Sequence, residues 1–398
     1  MRLAALIANY ASGAHALAAA RSLRAEWARL GRDPRALEVV VCDDASPTDE
    51  SAWLAALEDE GARVVRRAER GGYAAAIGSA LAATRGGPDD VVAALNADLL
   101  FLPGSLAPCL AALARDARLG AVAPRTVADP AATLELPPQE LPAPQAERAA
   151  LRAPFDVARA RAAAEARARR ALALWSARGL VEREMLSGAC LFLRRAWIER
   201  AGGLLDARYP LYFEDTDLCR RLTAAGARLA LCREATVVHF WARSTGLGAD
   251  FEAVAAARFR ASRRRYLTRW HGADALRALE RAEAALGAAP RAPLAVHHFE
   301  PLGALAAPPE LGWSRAVPFV VELGMGPELA LAAGALGEGA SWRLPEASWA
   351  WLHAARYYVR ALERETLACL GAWTFDKPAA PRRDPQALVA ARSEVDAA

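Results

Sequence analysis

The sequence predicts an α/β protein built on a mostly parallel sheet. Short apolar runs alternate with longer helical runs through residues 1–122, and the apolar runs end at polar side chains. This alternation is typical of parallel strands joined by right-handed helical crossovers. The runs predict strands over residues 3–9, 37–42, 62–65 and 91–95, and helices over 15–30, 51–60 and 73–84.

Composition and charge narrow the class of protein. The 398 residues are 54% hydrophobic and 24% charged, which is a globular composition with enough apolar side chains for a large core. The 50 basic and 46 acidic residues give a formal net charge of only +4. A dedicated nucleic-acid-binding protein should carry a larger basic excess, so no nucleic acid partner is expected.

Cysteine usage and hydropathy indicate a compartment. The six cysteines are scattered and form no C-x-x-C pair, which argues against a zinc site or a disulfide framework and favours a reducing environment. No uncharged apolar stretch is long enough to span a bilayer, so we expect a cytoplasmic protein. Two Arg-rich helical segments, 146–178 and 251–271, are either solvated faces or surfaces for anionic lipid, which leaves peripheral contact with the inner face of a membrane open.

The second half of the chain changes character twice. Residues 128–145 are Pro-rich without periodicity and predict a loop. From about residue 313, five tryptophans and short strand-like runs separated by turns predict a small β-rich module. Packing in the core is the favoured role of these tryptophans, and stacking on sugars is the alternative.

Polar side chains follow three of the predicted strands. They lie at residues 9–10, 43–44 and 96–98. Ligands of parallel α/β sheets bind beyond the carboxyl ends of the strands, so the three segments predict one binding site at that edge.

Short motifs at these and later positions occur in a recognisable order. They are Leu6-Ile-Ala-Asn-Tyr, Val41-Cys-Asp-Asp-Ala-Ser, Gly72-Tyr-Ala-Ala-Ala, Leu95-Asn-Ala-Asp, Ser187-Gly-Ala-Cys, Gly202-Gly-Leu-Leu-Asp, Tyr212-Phe-Glu-Asp-Thr-Asp, Ala235-Thr-Val-Val-His and Ser244. Over roughly residues 3–272 the chain resembles a family 2 glycosyltransferase of the GT-A fold, of the bacterial rhamnosyltransferase-like kind. The resemblance implies a Rossmann-like nucleotide-binding sheet with an acceptor-side half, to which this chain adds a helical extension and the C-terminal module.

The resemblance also implies a division of the chain. Residues 1–122 would form the half that binds the nucleotide sugar, and residues 123–250 the acceptor and catalytic half, including the Pro-rich loop and a basic helical insert. Residues 251–290 would be a basic helical extension and 300–378 the β-rich accessory module. Residues 379–398 are expected to be a disordered tail.

The donor site and its metal follow from the same resemblance. The residues implied in nucleotide-sugar binding are Asn9, Tyr10, Asp43, Asp44, Arg70, Gly72 and Asn96. Asp43 would accept a hydrogen bond from the imide N–H of the base, which favours uracil or thymine. Asp98 and His239 would hold a divalent cation, Mn²⁺ or Mg²⁺, because hard cations neutralise a diphosphate leaving group. The family motif has a carboxylate where this chain has Asn96. Asp98 would therefore be the only residue of this motif that brings a negative charge to the metal.

The acidic pair Glu214-Asp215 precedes a predicted helix and is the candidate catalytic centre. A carboxylate within reach of the acceptor hydroxyl is the natural base, and the resemblance assigns that role to Asp215 while Glu214 shapes the acceptor pocket. Asp217 is expected to cap the first turn of the helix. A base on the far face of the sugar implies direct displacement with inversion.

Together these features predict an inverting glycosyltransferase. It would move a hexose or a deoxyhexose such as rhamnose from a UDP- or dTDP-sugar to a hydroxyl of a cell-surface polysaccharide or glycolipid precursor. One alternative is a nucleotidyltransferase on a similar sheet. The segment Ser12-Gly13-Ala14-His15 counts against it, because it lacks the glycines of a phosphate-binding loop. The other is a non-catalytic protein that binds sugar nucleotides or glycans, which would not require the acidic pair. The oligomeric state stays open.

Overall fold

The computed structural model describes residues 1–240, 249–287, 294–379 and 383–390, without the side chains of residues 249–253. Ser244, which belongs to the family motifs, lies outside the described residues. Residues 391–398 of the expected tail lie outside them as well.

A nine-stranded mixed sheet forms the centre of the first 240 residues. Its strands are β1 (Leu3–Asn9), β2 (Leu37–Asp43), β3 (Arg63–Arg66), β4 (Val91–Asn96), β5 (Leu99–Phe101), β6 (Leu119–Val127), β7 (Leu180–Glu182), β8 (Cys190–Arg194) and β9 (Arg228–His239). The order across the sheet is β3-β2-β1-β4-β8-β6-β9-β5, and β7 pairs with β9. The first four strands run parallel, as the alternating pattern predicts, and β8 runs antiparallel to β4.

Helices cover both faces of this sheet. The helices of the described residues are α1 (Gly13–Arg29), α2 (Ser51–Asp59), α3 (Tyr73–Ala82), α4 (Ala107–Arg115), α5 (Pro144–Arg152), α6 (Val157–Trp175), α7 (Arg195–Arg200), α8 (Glu214–Ala224), α9 (Ala249–Ala285) and α10 (Glu346–Trp349), of which α10 belongs to the C-terminal module. Two 3₁₀ turns cover Pro34–Ala36 and Ala153–Phe155. Helices α1, α2 and α4 pack on one face and α3, α7 and α8 on the other. Because both faces are covered, β1 is apolar along almost its whole length.

The basic extension is one long kinked helix. Helix α9 is interrupted at Gly272, where the backbone takes a positive φ of 83°. Its arginines are partly neutralised by neighbours, since Arg263 pairs with Glu147 and Glu283 and Arg264 pairs with Glu280. None of the described helices combines the length and the apolar character that crossing a bilayer requires.

The C-terminal module is a five-stranded sheet. Its strands are β10 (Glu300–Ala304), β11 (Glu310–Gly324), β12 (Ala333–Arg343), β13 (Ala355–Glu363) and β14 (Cys369–Lys377), in the order β10-β14-β13-β11-β12. Trp349, Trp351 and Trp373 are buried, so core packing is the role the structure gives them. The module contacts the Pro-rich loop through paired backbone hydrogen bonds between Glu135 and Gly334, at 2.7 and 2.8 Å, and Glu135 in turn bridges to Val127 of β6. The fold class expected from the sequence is confirmed.

The segment that the sequence analysis assigned to a disordered tail contains a short helix in its described part. Residues 385–390 are helical. The Gln386 side-chain amide donates to the Ala14 carbonyl at 2.5 Å and its oxygen accepts from Arg21 at 2.7 Å. Leu388 packs against the cluster that contains Leu100. The helix of residues 385–390 is too short for a helical spacing of apolar residues to be recognised in the sequence.

Candidate active site

A cavity of about 910 Å³ opens at the carboxyl edge of the parallel strands. Its walls come from the ends of β1 and β4, the Pro-rich loop, the segment 185–190, the start of α8, helix α9 and the C-terminal module. Of the sequence-predicted site residues, the structure places ten on its wall: Asn9, Tyr10, Asp44, Arg70, Gly72, Asn96, Asp98, Glu214, Asp215 and His239.

Asp43 is the predicted site residue that does not line the cavity. Strands β1 and β2 pair Asn9 with Asp43, and the Asn9 amide donates to Asp43 Oδ1 at 2.8 Å. The same oxygen accepts from the Ser46 hydroxyl at 2.6 Å, and Oδ2 accepts from the Ser46 backbone N–H at 3.3 Å. Asp43 therefore holds Asn9 at the wall from behind.

Asp44 shapes the loop that precedes α3. Its carboxylate accepts from the backbone N–H groups of Gly71 and Gly72 at 2.9 and 2.7 Å and pairs with Arg67 Nε at 2.9 Å. Gly72 has a φ of 87°, and a Cβ there would lie 2.7 Å from the Pro210 carbonyl oxygen. Only glycine fits this crossing of two loops without strain.

Arg70 gives one side of the cavity a positive charge. Its guanidinium lies 3.9 Å from the centroid of the Tyr10 ring, which is a cation–π geometry. Burial lowers the pKa of Arg70 from its ordinary value, and the neighbouring Arg258 of α9 adds to that effect. Both arginines line the cavity, so this wall is suited to an anionic group.

Strand pairing brings His239 to Asp98. Asp98 lies in the tight turn between β4 and β5, and β5 pairs Leu99 with His239. As a result Asp98 Oδ1 lies 3.3 Å from His239 Nε2, and the Asn96 amide lies 3.2 Å from the same nitrogen. Burial raises the pKa of Asp98, but the nearby His239 outweighs it and the pKa falls below its ordinary value.

These three side chains are the candidate ligands of a cation. A carboxylate, an imidazole and an amide together can bind divalent ions such as Mn²⁺. A structural zinc site would instead use four Cys or His ligands. Among the described residues, no cluster of three or more His, Cys, Asp or Glu side chains is arranged to hold a metal. The protein therefore offers a partial ligand set here.

Asp215 reaches the same cavity through the segment before β8. The Gly188 backbone N–H donates to Asp215 Oδ2 at 2.8 Å, and a Cβ on Gly188 would lie 2.8 Å from the Asp215 Cβ. The next residue, Ala189, accepts from the Asn96 backbone N–H at 2.8 Å. Two consecutive residues thus connect the end of β4 to the acidic pair.

Tyr73 is a site residue that the sequence analysis did not assign, although it stands in a recognised motif. Its hydroxyl donates to the Gly188 carbonyl at 2.8 Å and it lines the cavity. Burial raises the pKa of Tyr73 well above its ordinary value, and the carboxylates of Glu214, Asp215 and Asp98 raise it further. Tyr73 therefore lies in the field of acids from both ends of the cavity.

The acidic pair divides its charge unequally. Burial, with Asp215 as the second cause, raises the pKa of Glu214 to about 8. Glu214 Oε2 has no hydrogen-bond partner among the described residues. Burial also raises the pKa of Asp215, but that carboxylate accepts from the Gly188 N–H, the Thr216 N–H at 2.7 Å and the Thr216 hydroxyl at 3.2 Å. The hydrogen bonds to Asp215 therefore favour the negative charge of the pair on Asp215 and the proton on Glu214.

Backbone strain occurs beside the acidic pair. Tyr212 and Phe213 adopt positive φ values of 61° and 65°. Left-handed conformations of bulky residues cost about 1–3 kcal/mol each and persist only where surrounding contacts enforce them. Here they turn the chain sharply into α8, so that Phe213 packs inward and Glu214 starts the helix.

Asp217 does not cap the helix, contrary to the expectation from its position. It is fully buried and accepts from Arg221 Nε at 2.7 Å, Trp270 Nε1 at 2.9 Å and the Tyr209 hydroxyl at 3.1 Å. Arg269 Nη1 lies 3.0 Å from the same carboxylate. Asp217 therefore ties α8, which begins with the acidic pair, to α9.

Other cavity-lining residues come from segments in which the sequence analysis named no site residue. The Pro-rich loop supplies Pro137, Pro138 and Pro142, and α9 supplies Arg258 and Phe259. Leu331 of the C-terminal module lines the cavity and is 60% exposed. Only the tertiary path brings these residues to the site, and no local pattern marks them.

Part of the chain is similar to a known protein family. Residues 6–164 match the sequence model described as Glycosyl transferase family 2. The N-acetylglucosaminyl-diphospho-decaprenol L-rhamnosyltransferases of two Mycobacterium tuberculosis strains are each 46% identical over 61 residues, which is 15% of this chain and 20% of the relative. The chain thus spans about a fifth of the length of these curated relatives.

Three solved structures with a similar chain path each have a TM-score below 0.5 to this chain. GalNAc-T7 with UDP, GalNAc and Mn²⁺ has a TM-score of 0.42 and 16% identity, covering 60% of this chain and 44% of its own. The mannosyltransferase PcManGT from Pyrobaculum calidifontis with GDP-Man and Mn²⁺ has a TM-score of 0.40 and 17% identity. The match covers 73% of this chain and 76% of PcManGT. S. aureus TarS 1-349 with UDP has 0.41 and 13%, covering 60% of each chain.

The family model covers the strand ends and turns that build one side of the cavity. Over residues 6–164 the chain is similar to glycosyltransferase family 2. The resemblance noted from the sequence motifs is confirmed.

Proposed function

We propose that the protein is an inverting glycosyltransferase. It transfers a hexose or a deoxyhexose such as rhamnose from a UDP- or dTDP-sugar to a hydroxyl of a cell-surface polysaccharide or glycolipid precursor. The observation that carries the proposal is the shared cavity, whose wall includes both the Asp98–His239 pair and the Glu214–Asp215 pair.

The donor end is the wall formed by β1, β4 and the loop before α3. Asn9 and Tyr10 present hydrogen-bonding groups to a nucleoside, and Arg70 stacked on Tyr10 faces an anion. Asp43 supports Asn9, so we assign base recognition to the Asn9–Asp43 pair as a unit. A hydrogen-bonding pocket of this kind favours a pyrimidine with an imide N–H.

Asp98 and His239 are the residues that would hold a divalent cation, with Asn96 beside them. When bound, Mn²⁺ or Mg²⁺ neutralises charge on the diphosphate as it departs. The described residues supply a partial ligand set for such an ion.

Asp215 is the base in this proposal. The acceptor O–H gives its proton to Asp215 while its oxygen attacks the anomeric carbon, and the bond from that carbon to the diphosphate oxygen breaks. Attack opposite the leaving group inverts the anomeric configuration. Protonated Glu214 keeps the single negative charge on Asp215, and the N–H groups of Gly188 and Thr216 fix its orientation.

The acceptor class is supported by the relatives rather than by a single contact. By its name, the mycobacterial relative acts on a sugar joined through a diphosphate to a decaprenol. If the acceptor of this protein is a lipid-linked glycan of that kind, the lipid would hold it at a membrane surface. Arg263 and Arg264 of α9 are paired with Glu147, Glu280 and Glu283, so we assign these two arginines no lipid contact.

A screen of sugar nucleotides tests the proposal. Purified protein would be incubated with UDP-, dTDP- and GDP-sugars in the presence of Mn²⁺, and nucleotide release would be measured. We expect release with a UDP- or dTDP-sugar, a large loss in Asp215→Asn, and retained nucleotide binding in that variant. Release of pyrophosphate from a nucleoside triphosphate and a sugar phosphate would instead identify a nucleotidyltransferase. Nucleotide binding without turnover of any donor would favour a binding protein.

A further inference from the structure

Two of the most exposed aromatic side chains lie together at the mouth of the cavity. Among the described residues, four aromatic side chains are at least 36% exposed: Trp53, Phe155, Tyr212 and Phe259. Tyr212 is 53% exposed and Phe259 41%, and their rings meet edge to face at 5.8 Å. Both line the cavity.

A buried aromatic stack supports this pair. Phe259 contacts Phe213 at a centroid distance of 5.4 Å, and Phe213 contacts Tyr266 at 5.4 Å. Tyr266 and Phe213 are buried, at 0% and 7% exposure. The stack therefore runs from the core to the mouth, and its inner members fix the position of the outer ones.

The backbone adds a second constraint. Tyr212 stands in the left-handed conformation, which costs free energy for a residue with a side chain. The Leu211 N–H donates to the buried Ser262 hydroxyl of α9 at 3.4 Å, which ties this loop to the helix that carries Phe259. A large aromatic side chain that gains little from core packing is held in a strained and fixed position at a cavity rim.

The position of Tyr212 points to the acceptor. Tyr212 lies two residues before Glu214, in the loop that leads into the acidic pair, whereas the donor-side groups lie at the strand ends. Aromatic faces carry partial negative charge and attract the C–H groups on the apolar face of a pyranose ring. An acceptor sugar resting there would have a hydroxyl near Asp215.

We propose that Tyr212 and Phe259 form an aromatic platform that binds a pyranose ring of the acceptor. This inference rests on the proposed function and adds to it a ligand class, an acceptor glycan with an exposed apolar ring face. The tryptophans of the C-terminal module, which the sequence offered as sugar-stacking residues, are buried or half-buried instead.

The test is saturation-transfer NMR with simple glycosides. The probes are the methyl glycosides of rhamnose, N-acetylglucosamine, galactose and mannose, added to the intact protein with saturating UDP. We expect transfer to the C–H protons of one ring face for at least one glycoside. In Tyr212→Ala and in Phe259→Ala binding of that glycoside should weaken about fivefold or more, and Tyr212→Phe should retain it.

Matched measurements separate the outcomes. Phe155→Ala removes an equally exposed aromatic ring that does not line the cavity, and it should bind the glycoside like the wild type. Absence of transfer from every glycoside, unchanged binding in both platform variants, or a parallel loss of UDP affinity would overturn the platform. Circular dichroism checks folding, and Phe259→Leu replaces Phe259→Ala if that variant unfolds.

Failure of the platform and failure of the proposed function are distinguishable. If glycosides bind through Tyr212 while no sugar nucleotide is turned over, the transferase assignment fails and the platform stands. If sugar transfer is observed but glycoside binding does not depend on Tyr212, the reverse holds.

Discussion

Replacing Glu214 with glutamine tests the charge state of the acidic pair. Glu214 is buried beside Asp215, and its Oε2 has no hydrogen-bond partner among the described residues. Glutamine keeps the shape and cannot ionise. The substitution therefore removes the penalty for a buried negative charge without opening a cavity.

The size of the effect follows from the pKa. The pKa of Glu214 is about 8 in the folded protein against an ordinary 4.5, so between these values the folded state binds the proton more tightly than the unfolded state. The corresponding stability is fully present below pH 4.5 and is lost as the pH rises through 8. Each unit of difference is worth about 1.4 kcal/mol, so the full loss is on the order of 5 kcal/mol.

Urea unfolding at pH 5 and pH 8 measures this. We expect the free energy of unfolding of Glu214→Gln, relative to the wild type, to rise by about 3 kcal/mol between the two pH values. Glu165→Gln on the surface of α6 is the control, because its side chain is 51% exposed. Curves for Glu214→Gln and wild type that run parallel across this range would show that Glu214 is ionised throughout, and would refute the assignment of the charge to Asp215.

Three further substitutions have defined outcomes. Asp217→Ala leaves Arg221 and Arg269 without their shared partner and should lower the free energy of unfolding by about 3–5 kcal/mol. Urea unfolding measures this, and a change under about 1 kcal/mol would contradict the role of Asp217 in joining α8 and α9. Gly188→Ala places a methyl group 2.8 Å from the Asp215 Cβ and should abolish most turnover while UDP affinity stays, as calorimetry would show; full activity would mean that Asp215 need not contact this segment. Asp98→Ala should remove the dependence of UDP affinity on Mn²⁺, and a variant that still binds UDP more tightly with Mn²⁺ would place the metal elsewhere.

The donor side of the site was largely predictable because its residues follow strands directly. Asn9, Asn96 and Asp98 stand at the ends of short apolar runs, and parallel strands bring such ends to one edge. A local pattern therefore contains enough information to place them. The pattern does not tell which of two adjacent acids lines the cavity: Asp44 does, and Asp43 supports Asn9 from behind.

The pairing of His239 with Asp98 could be suggested but not located. It depends on the antiparallel register of β5 with β9, two strands separated by more than a hundred residues. Sequence motifs indicated that both residues belong to the site. Only the register gives the 3.3 Å approach.

The rest of the cavity wall could not be predicted. The Pro-rich loop, Phe259 and Leu331 reach the site through tertiary packing of segments with no functional pattern of their own. Asp217 was misjudged because Arg221, four residues along α8, is its only local partner, whereas Tyr209 comes from the preceding loop and Arg269 and Trp270 come from α9. Long-range partners of this kind leave no signal at local spacing.

A crystal structure of the protein with UDP and Mn²⁺ tests the central claim most directly. The claim predicts the diphosphate beside Asp98 and His239, the uridine along Asn9 and Tyr10, and the Asp215 carboxylate facing the space in which the transferred sugar would lie. A nucleotide bound outside this cavity, or an Asp215 side chain turned away from the space beyond the diphosphate, would contradict it.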